Sequence, residues 1–330
     1  MIICRTPFRI SLFGGGTDLP DWYKNNDGMI ISGSINKYCF ITLRNLPEVF
    51  DFNYRLRYHA TEQVSRLNDI KHGPYREILK YFRLEKKKIE IVHSADLPSL
   101  SGLGGSSSST VCATHAISAL KGYLLNKKRI AKIAIEIEQK ILREYVGSQD
   151  QITAAFGGLN LIHFKKSNDF TVENLVNENK LKTLNNSSIL VFTGIRRFSK
   201  NLEKKKIEAI KRRANIEVLK KINDITYEAL EEFSLPKINL KNIGNLMNRY
   251  WVEKKKLNKD VTNKVIENIC SIAMKNGAYG AKLLGSGAGG FVYILCPNNK
   301  KKYIYKKLNR FKIVDFAFES SGSTIIYNKF

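Results

Sequence analysis

The run Pro98 to Cys112, PSLSGLGGSSSSTVC, limits what this chain can fold into more than any other stretch. Upstream, Lys88-Ile89-Glu90-Ile91-Val92-His93 reads as a strand. Downstream, Val111 to Leu124 spaces apolar and small residues at helical period, so the Gly/Ser run is the turn that opens a helix. The first turn of a helix carries unpaired N–H groups and a partial positive charge, and glycines let an anion come close to the backbone. Ser106 to Ser109 add hydroxyls that cap the helix, donate to phosphate oxygens or ligate a hard cation. The segment is expected to cradle a nucleoside triphosphate. A flexible linker is the plainer alternative, and the strand and helix patterns on either side weigh against it.

Two more glycine-rich loops follow strand patterns. Ile2 to Phe13 reads as a strand broken by Pro7 and runs into Gly14-Gly15-Gly16-Thr17-Asp18, a turn suited to presenting an Asp and a Thr hydroxyl to a ligand. Arg9 alternates away from Ile10 on that strand, toward a polar cleft. Late in the chain, Ala281 to Leu284 meets Gly285-Ser286-Gly287-Ala288-Gly289-Gly290 before the strand Phe291 to Cys296. That loop matches GxGxxGxV. A dinucleotide fold needs a helix next, and a protein kinase needs a lysine strand, HRD and DFG downstream; neither follows, and GxxxxGK[ST] does not occur.

Between the loops, Met29 to Ile35 and Tyr38 to Leu43 read as two strands and Leu56 to Tyr58 as another, with a helix from Pro74 to Phe82. Lys127 to Arg143 reads as an amphipathic helix with Glu138 beside its apolar stripe, positioned to be carried inward. Gly147-Ser148-Gln149-Asp150-Gln151 is a polar insertion before the apolar run Ile152 to Phe156, a setting that brings Asp150 to a cleft. Residues 166–186 turn polar and Asn-rich, marking a domain boundary. Helical patterns then cover Leu202 to Phe233, Leu240 to Leu257 and Val261 to Asn276.

The chain has 330 residues, enough for two domains, and 55 Lys and Arg against 30 Asp and Glu give it a formal charge of +25. The excess sits in scattered lysine runs, including Lys254-Lys255-Lys256, that read as solvated helix faces. No finger spacing, RNA-binding aromatic signature or basic zipper accompanies them, so nucleic-acid binding is only the rival class. Five scattered cysteines without a CxxC pair fit a reducing compartment, and no window suits a leader or a membrane span, so a cytoplasmic protein is expected. His93, His115 and Trp251 read as structural.

The order RxPxRIS…GGGTD, PxxxGLGGSSS and KLLGSGAGGF resembles the GHMP small-molecule kinases. RTPFRISLFGGGTDLP, YHATEQV, KHGPYREILK, GSQDQITAAFGG and GAYGAKLLGSGAGG bring it near the branch of D-glycero-D-manno-heptose 7-phosphate kinases and fucokinases. The resemblance implies a mixed α/β (α+β) fold in two domains, an N-terminal ATP-binding domain over residues 1–170 and a ferredoxin-like C-terminal domain over 171–330. It implies ATP and Mg²⁺ as cofactors, a sugar phosphate as partner, and transfer of a phosphoryl group to the anomeric hydroxyl of a heptose 7-phosphate, on the way to a nucleotide-activated heptose for surface polysaccharide.

By motif, the resemblance makes Asp150 the residue that orients the attacking hydroxyl and Arg9 the group that stabilises charge beside it. Gly15, Gly16, Thr17 and Asp18 would hold the sugar. Leu103, Gly104, Gly105, Ser106, Ser107 and Ser108 would wrap the phosphates, with Ser106 and Glu138 on the metal and the choice among Ser106, Ser107 and Ser108 open. Position alone suggests Arg196, Arg197 and Lys200 for the substrate's far phosphate. The rivals are a fucokinase or other neutral-sugar kinase, and a binding protein that has lost catalysis. Plainer readings of the same residues are an Arg9–Asp18 ion pair and a solvated Glu138.

Overall fold

A computed structural model of the chain describes residues 1–98, 101–195, 208 and 215–329. Its strands are β1 (Ile2–Phe13), β2 (Gly28–Asn45), β3 (Tyr54–Arg57), β4 (Thr61–Val64), β5 (Ile89–Ala95), β6 (Leu159–Phe164), β7 (Phe170–Asn174), β8 (Ser188–Phe192), β9 (Gly280–Leu283), β10 (Phe291–Leu295), β11 (Lys312–Val314) and β12 (Thr324–Asn328). They form a larger sheet in the order β12-β1-β2-β5-β3-β4, with β6 on β2 and β7 on β6, and a smaller sheet in the order β11-β8-β10-β9. Only β3 and β5 run parallel among the described pairs. The last strand, β12, leaves the second half of the chain and returns to pair with β1.

β1 and β2 are the spine. The two strands expected over 29–35 and 38–43 are one. Pro7 pairs with Tyr38 and Phe8 with Ile35, so Asn36 and Lys37 bulge out opposite Pro7, and the apparent break in each strand is this single irregularity. The bend lets β2 serve two neighbours on one side: residues 28–33 pair with β6 and residues 39–45 with β5.

Helices Gly73–Tyr81, Gly105–Leu120, Lys127–Ile135 and Gln149–Phe156 belong to the first half. Ile78 and Leu79 from the first of these and Cys112, Ala116 and Ile117 from the second pack with Cys4, Cys39, Ile41 and Ile91 of the sheet. The second half supplies helices Ile216–Ser234, Leu240–Lys256, Lys264–Lys275 and Asn298–Lys307. Alternation in β10 divides its residues by face. Phe291, Tyr293 and Leu295 join a core with Phe8, Ile10, Ile222 and Met247, while Val292 and Ile294 pack with Ile266, Ile269 and Ile304. One apolar core therefore spans both sheets, which fixes the glycine loops of the two halves against each other.

Two local departures shape the site. The helix expected over 127–143 is regular only to Ile135; Glu136–Ile141 forms a wide π turn in which the Leu142 amide donates to the Ile137 carbonyl at 2.9 Å. The polar GSQDQ stretch does not stay a loop but winds into helix Gln149–Phe156, with Asp150 in its first turn.

Candidate active site

Pairing of β1 with β2 sends Phe8, Ile10 and Leu12 into the core and leaves Arg9 and Ser11 on the wall of a cleft. Arg9 is 4% exposed. Its Nε and Nη2 donate to the two oxygens of Asp150, each at 2.7 Å, and Nη1 donates to the Gly102 carbonyl at 2.8 Å. The arginine thus pairs with Asp150, and Asp18 is held by other donors.

The turn after β1 divides its residues between scaffold and cleft. Gly14 has φ +85°, and a Cβ there would fall 1.9 Å from the Met29 carbonyl oxygen. Thr17 Oγ1 lies 2.9 and 3.0 Å from the Gly14 and Met29 carbonyls and accepts the Met29 amide at 3.0 Å. Thr17 and Gly16 are buried turn formers, whereas Gly15 and Asp18 line the cleft. The Gly16 amide donates to Asp18 Oδ1 at 2.9 Å and the Gln149 amide to Oδ2 at 3.4 Å, so this carboxylate sits at the start of the helix that carries Asp150.

Gly104, at φ +74°, precedes helix Gly105–Leu120, and the space where a Cβ would sit is closed by Arg9 Cγ at 3.0 Å and Asp150 Oδ2 at 3.2 Å. Helix start and acid–base pair are therefore in direct contact. Gly104, Gly105, Ser106 and Ser107 line the cleft. Leu103 is fully buried and offers its carbonyl to the Arg9 amide at 3.1 Å, and Ser108 Oγ is turned away, donating to the Pro7 carbonyl at 3.0 Å.

Glu138 is carried inward by the π turn and is 1% exposed. Ser107 Oγ, not that of Ser106, donates to Oε2 at 2.9 Å, the Gln151 amide donates to the same oxygen, and the Thr110 hydroxyl also favours the charged carboxyl. Oε1 has no hydrogen-bond partner, and burial pushes the carboxyl up to about 7. A buried carboxylate oxygen left open beside a serine hydroxyl fits Mg²⁺, which binds through one or two protein ligands and fills its shell with water and substrate phosphates. Among the described residues no group of three or more His, Cys, Asp or Glu could hold a metal unaided.

The third loop closes the far wall backbone to backbone. Gly285, at φ +70°, leaves only 2.6 Å between a Cβ and the Gly102 carbonyl oxygen, and Gly290, at φ +98°, only 2.2 Å to that of Ser101. Side-chain bulk at either seam would separate the loops.

Two lysines escaped the sequence reading. Lys254, placed there on a solvated face, is 7% exposed, lines the cleft and donates to the Gly285 carbonyl at 2.5 Å. The signal was present: Ile243, Leu246, Met247, Tyr250, Trp251 and Lys254 form the buried stripe of helix Leu240–Lys256, at helical spacing. Lys282 is 1% exposed on β9, and its ammonium donates to the Ser11 carbonyl at 2.9 Å and to that of Leu12. Burial, with Lys254 and Arg9 nearby, holds it well below the usual lysine range. Arg196, Arg197 and Lys200 lie outside the described residues.

No helix among the described residues is long and apolar enough to cross a membrane. Residues 73–158 match the family model described as the GHMP kinases N terminal domain, and residues 226–313 match that described as the GHMP kinases C terminal. A D-glycero-alpha-D-manno-heptose 7-phosphate kinase of Campylobacter jejuni is 30% identical over 329 residues, covering 96% of each chain. The solved structure of a D-glycero-D-manno-heptose 1-phosphate kinase from Bacteroides thetaiotaomicron superposes over the whole of both chains with a TM-score of 0.79 at 23% identity. Lactococcus lactis galactokinase, solved with galactose, covers 98% of this chain and 94% of its own with a TM-score of 0.75 at 19% identity.

Proposed function

The chain belongs to the GHMP kinases and is an ATP-dependent kinase acting on a sugar; within that activity we propose that it phosphorylates the anomeric hydroxyl of D-glycero-D-manno-heptose 7-phosphate. The observation that carries this reading is the Arg9–Asp150 pair in contact with the start of helix Gly105–Leu120. An acceptor hydroxyl at Asp150 and a triphosphate on the helix amides are then neighbours, as in-line transfer requires.

In this reading Asp150 accepts the hydrogen bond of the sugar hydroxyl, fixing the direction of its lone pair and taking its proton as the O–P bond forms. Arg9 holds Asp150 in place through two bonds, and its positive charge faces the charge that develops in transfer. Asp18, held by the Gly16 and Gln149 amides, is the acceptor for the sugar's other hydroxyls. Amides of Gly105 to Ser107 bind the phosphates. Glu138 and Ser107 would hold Mg²⁺, which supplies charge neutralisation between the phosphates when bound. The heptose acceptor rests on the Campylobacter relative, and Arg197 is assigned to its distal phosphate by sequence position. The same reading takes 1–170 and 171–330 as the two domains, places the enzyme in the cytoplasm and puts its product on the route to a nucleotide-activated heptose for surface polysaccharide.

The test is Mg²⁺-dependent release of ADP from ATP with the heptose 7-phosphate, fucose, galactose, mevalonate and a blank. Preference for the heptose phosphate supports the reading. Turnover only with a neutral sugar would keep the kinase and remove the phosphorylated acceptor.

A further inference from the structure

Gln149 opens the helix that carries Asp150, and its backbone and side chain are used differently. The backbone belongs to the scaffold: its amide donates to Asp18 Oδ2 at 3.4 Å and its carbonyl accepts the Thr153 hydroxyl at 2.9 Å. The side chain lines the cleft with Ser11, Gly15 and Asp150, and its Oε1 is buried with no hydrogen-bond partner among the described residues. An amide oxygen held out of water without a partner is destabilising, so an apolar side chain of similar length would suit the protein by itself better. Gly15 leaves room beside it. A Cβ on Gly15 would lie 2.9 Å from the Tyr250 hydroxyl, 3.8 Å from Ser11 Oγ and 4.0 Å from Gln149 Nε2. Polar atoms from β1 and from helices Gln149–Phe156 and Leu240–Lys256 thus meet over one bare stretch of backbone, next to Asp150.

We propose that the Gln149 side-chain amide hydrogen-bonds the sugar hydroxyl vicinal to the one held at Asp150, and so sets which sugars are accepted. A sugar hydroxyl is donor and acceptor at once, whereas a carboxylate only accepts. A vicinal diol held by carboxylates alone would leave its lone pairs without donors. Arg9 is committed to Asp150 and Gly102, and the backbone amides of Gly16 and Gln149 to Asp18. The Gln149 side chain brings a donor in Nε2 and an acceptor in Oε1 in one plane. Gln149 and Asp150 are consecutive in the first turn of their helix and both line the cleft, so they step along it as neighbouring hydroxyls step along a ring. A site built to hydrogen-bond a hydroxyl rejects the analogue that lacks it, because the amide is then buried against carbon.

The assignment rests on the sugar-kinase reading, and the experiment separates the two. The ratio kcat/KM is measured for D-glycero-D-manno-heptose 7-phosphate and for its 2-deoxy analogue with the wild type, Gln149→Met and Gln149→Leu, two apolar side chains of different shape, with thermal midpoints and the KM for ATP as checks on folding. The wild type should prefer the 2-hydroxy sugar by about thirtyfold or more and both variants by less than about threefold, the loss falling on the 2-hydroxy sugar while the KM for ATP stays within about twofold. Equal losses with both sugars would keep the preference, make Gln149 a support for the helix start and overturn the assignment, as would a wild type that treats the two sugars alike. Turnover of galactose alone would remove the heptose acceptor, and the ratio for galactose over 2-deoxygalactose then decides in the same way. A wild type that phosphorylates no sugar would remove the kinase reading, and the assignment with it.

Discussion

Arg9 and Asp150 meet end to end, two guanidinium nitrogens on two carboxylate oxygens, although 141 positions separate them in the chain. β1 supplies one and the first turn of helix Gln149–Phe156 the other. The pair fixes the carboxylate on the wall of the cleft, beside the start of helix Gly105–Leu120. Asp150→Asn would set an amide N–H against the guanidinium. Its kcat should fall by about 10²–10⁴-fold with the dissociation constant for nucleotide nearly unchanged. Steady-state kinetics beside a binding isotherm check this, and equal losses in both would assign Asp150 to the nucleotide.

Ser107 and Ser106 should separate in their need for metal. Ser107→Ala removes the hydroxyl on Glu138 and should raise the Mg²⁺ concentration for half-maximal activity by about tenfold. Ser106→Ala, which leaves Glu138 and its partner in place, should change it far less. Mg²⁺ titrations of both variants at saturating ATP decide the order.

Gly285→Ala should break the contact between the second and third loops. At φ +70° the new methyl group meets the Gly102 carbonyl, and the backbone conformation itself disfavours alanine. The expected cost is about 2 kcal/mol or more, read as a lowered thermal midpoint together with a raised KM for ATP. An unchanged midpoint would mean that the loops part freely.

His72 gives the chain an acid-sensitive point outside the cleft. Its Nδ1 accepts the Tyr75 amide at 3.4 Å, its ring stacks on Tyr75 at 3.8 Å between centres, and Tyr58, His59, Glu62 and His93 surround it. Burial, and then the nearby His93, push its pKa from 6.5 to about 4. The folded-state value is depressed, so the stability contributed by the neutral ring is complete above pH 6.5 and is lost as pH falls from there to about 4. His72→Asn, which keeps a helix cap, should lose about 2 kcal/mol less than the wild type between pH 7 and pH 4.5. Urea midpoints at the two pH values measure the difference.

How much of this was legible in the sequence depended on which physical signal each residue carried. Arg9 could be read because alternation in a strand is a strong local constraint, and Gly104 because a strand, a glycine turn and a helix follow one another directly. The unity of β2 could not be read: a bulge at Asn36 and Lys37 looks like a gap until Pro7 stands opposite it. Asp150 was placed at a cleft but not on a helix, because an eight-residue helix opening on polar side chains has little periodicity of its own and is held by packing. Lys254 was misread for the opposite reason. Its charge and its lysine neighbours hid a position that the apolar spacing had assigned to the interior.

The wide turn at Glu136–Ile141 gives the buried Glu138 carboxylate an unusual dependence on chain length. A regular helix advances about 100° per residue, so deleting a single residue near Glu136 would let the turn close to ordinary pitch and bring Glu138 round to the bearing that Ile137 now holds against the core. No side chain need be exchanged for the Ser107–Glu138 contact to be lost. Angular phase, set by one residue more or fewer, decides which side chain faces Ser107, and restoring the residue ahead of Glu138 should restore the contact.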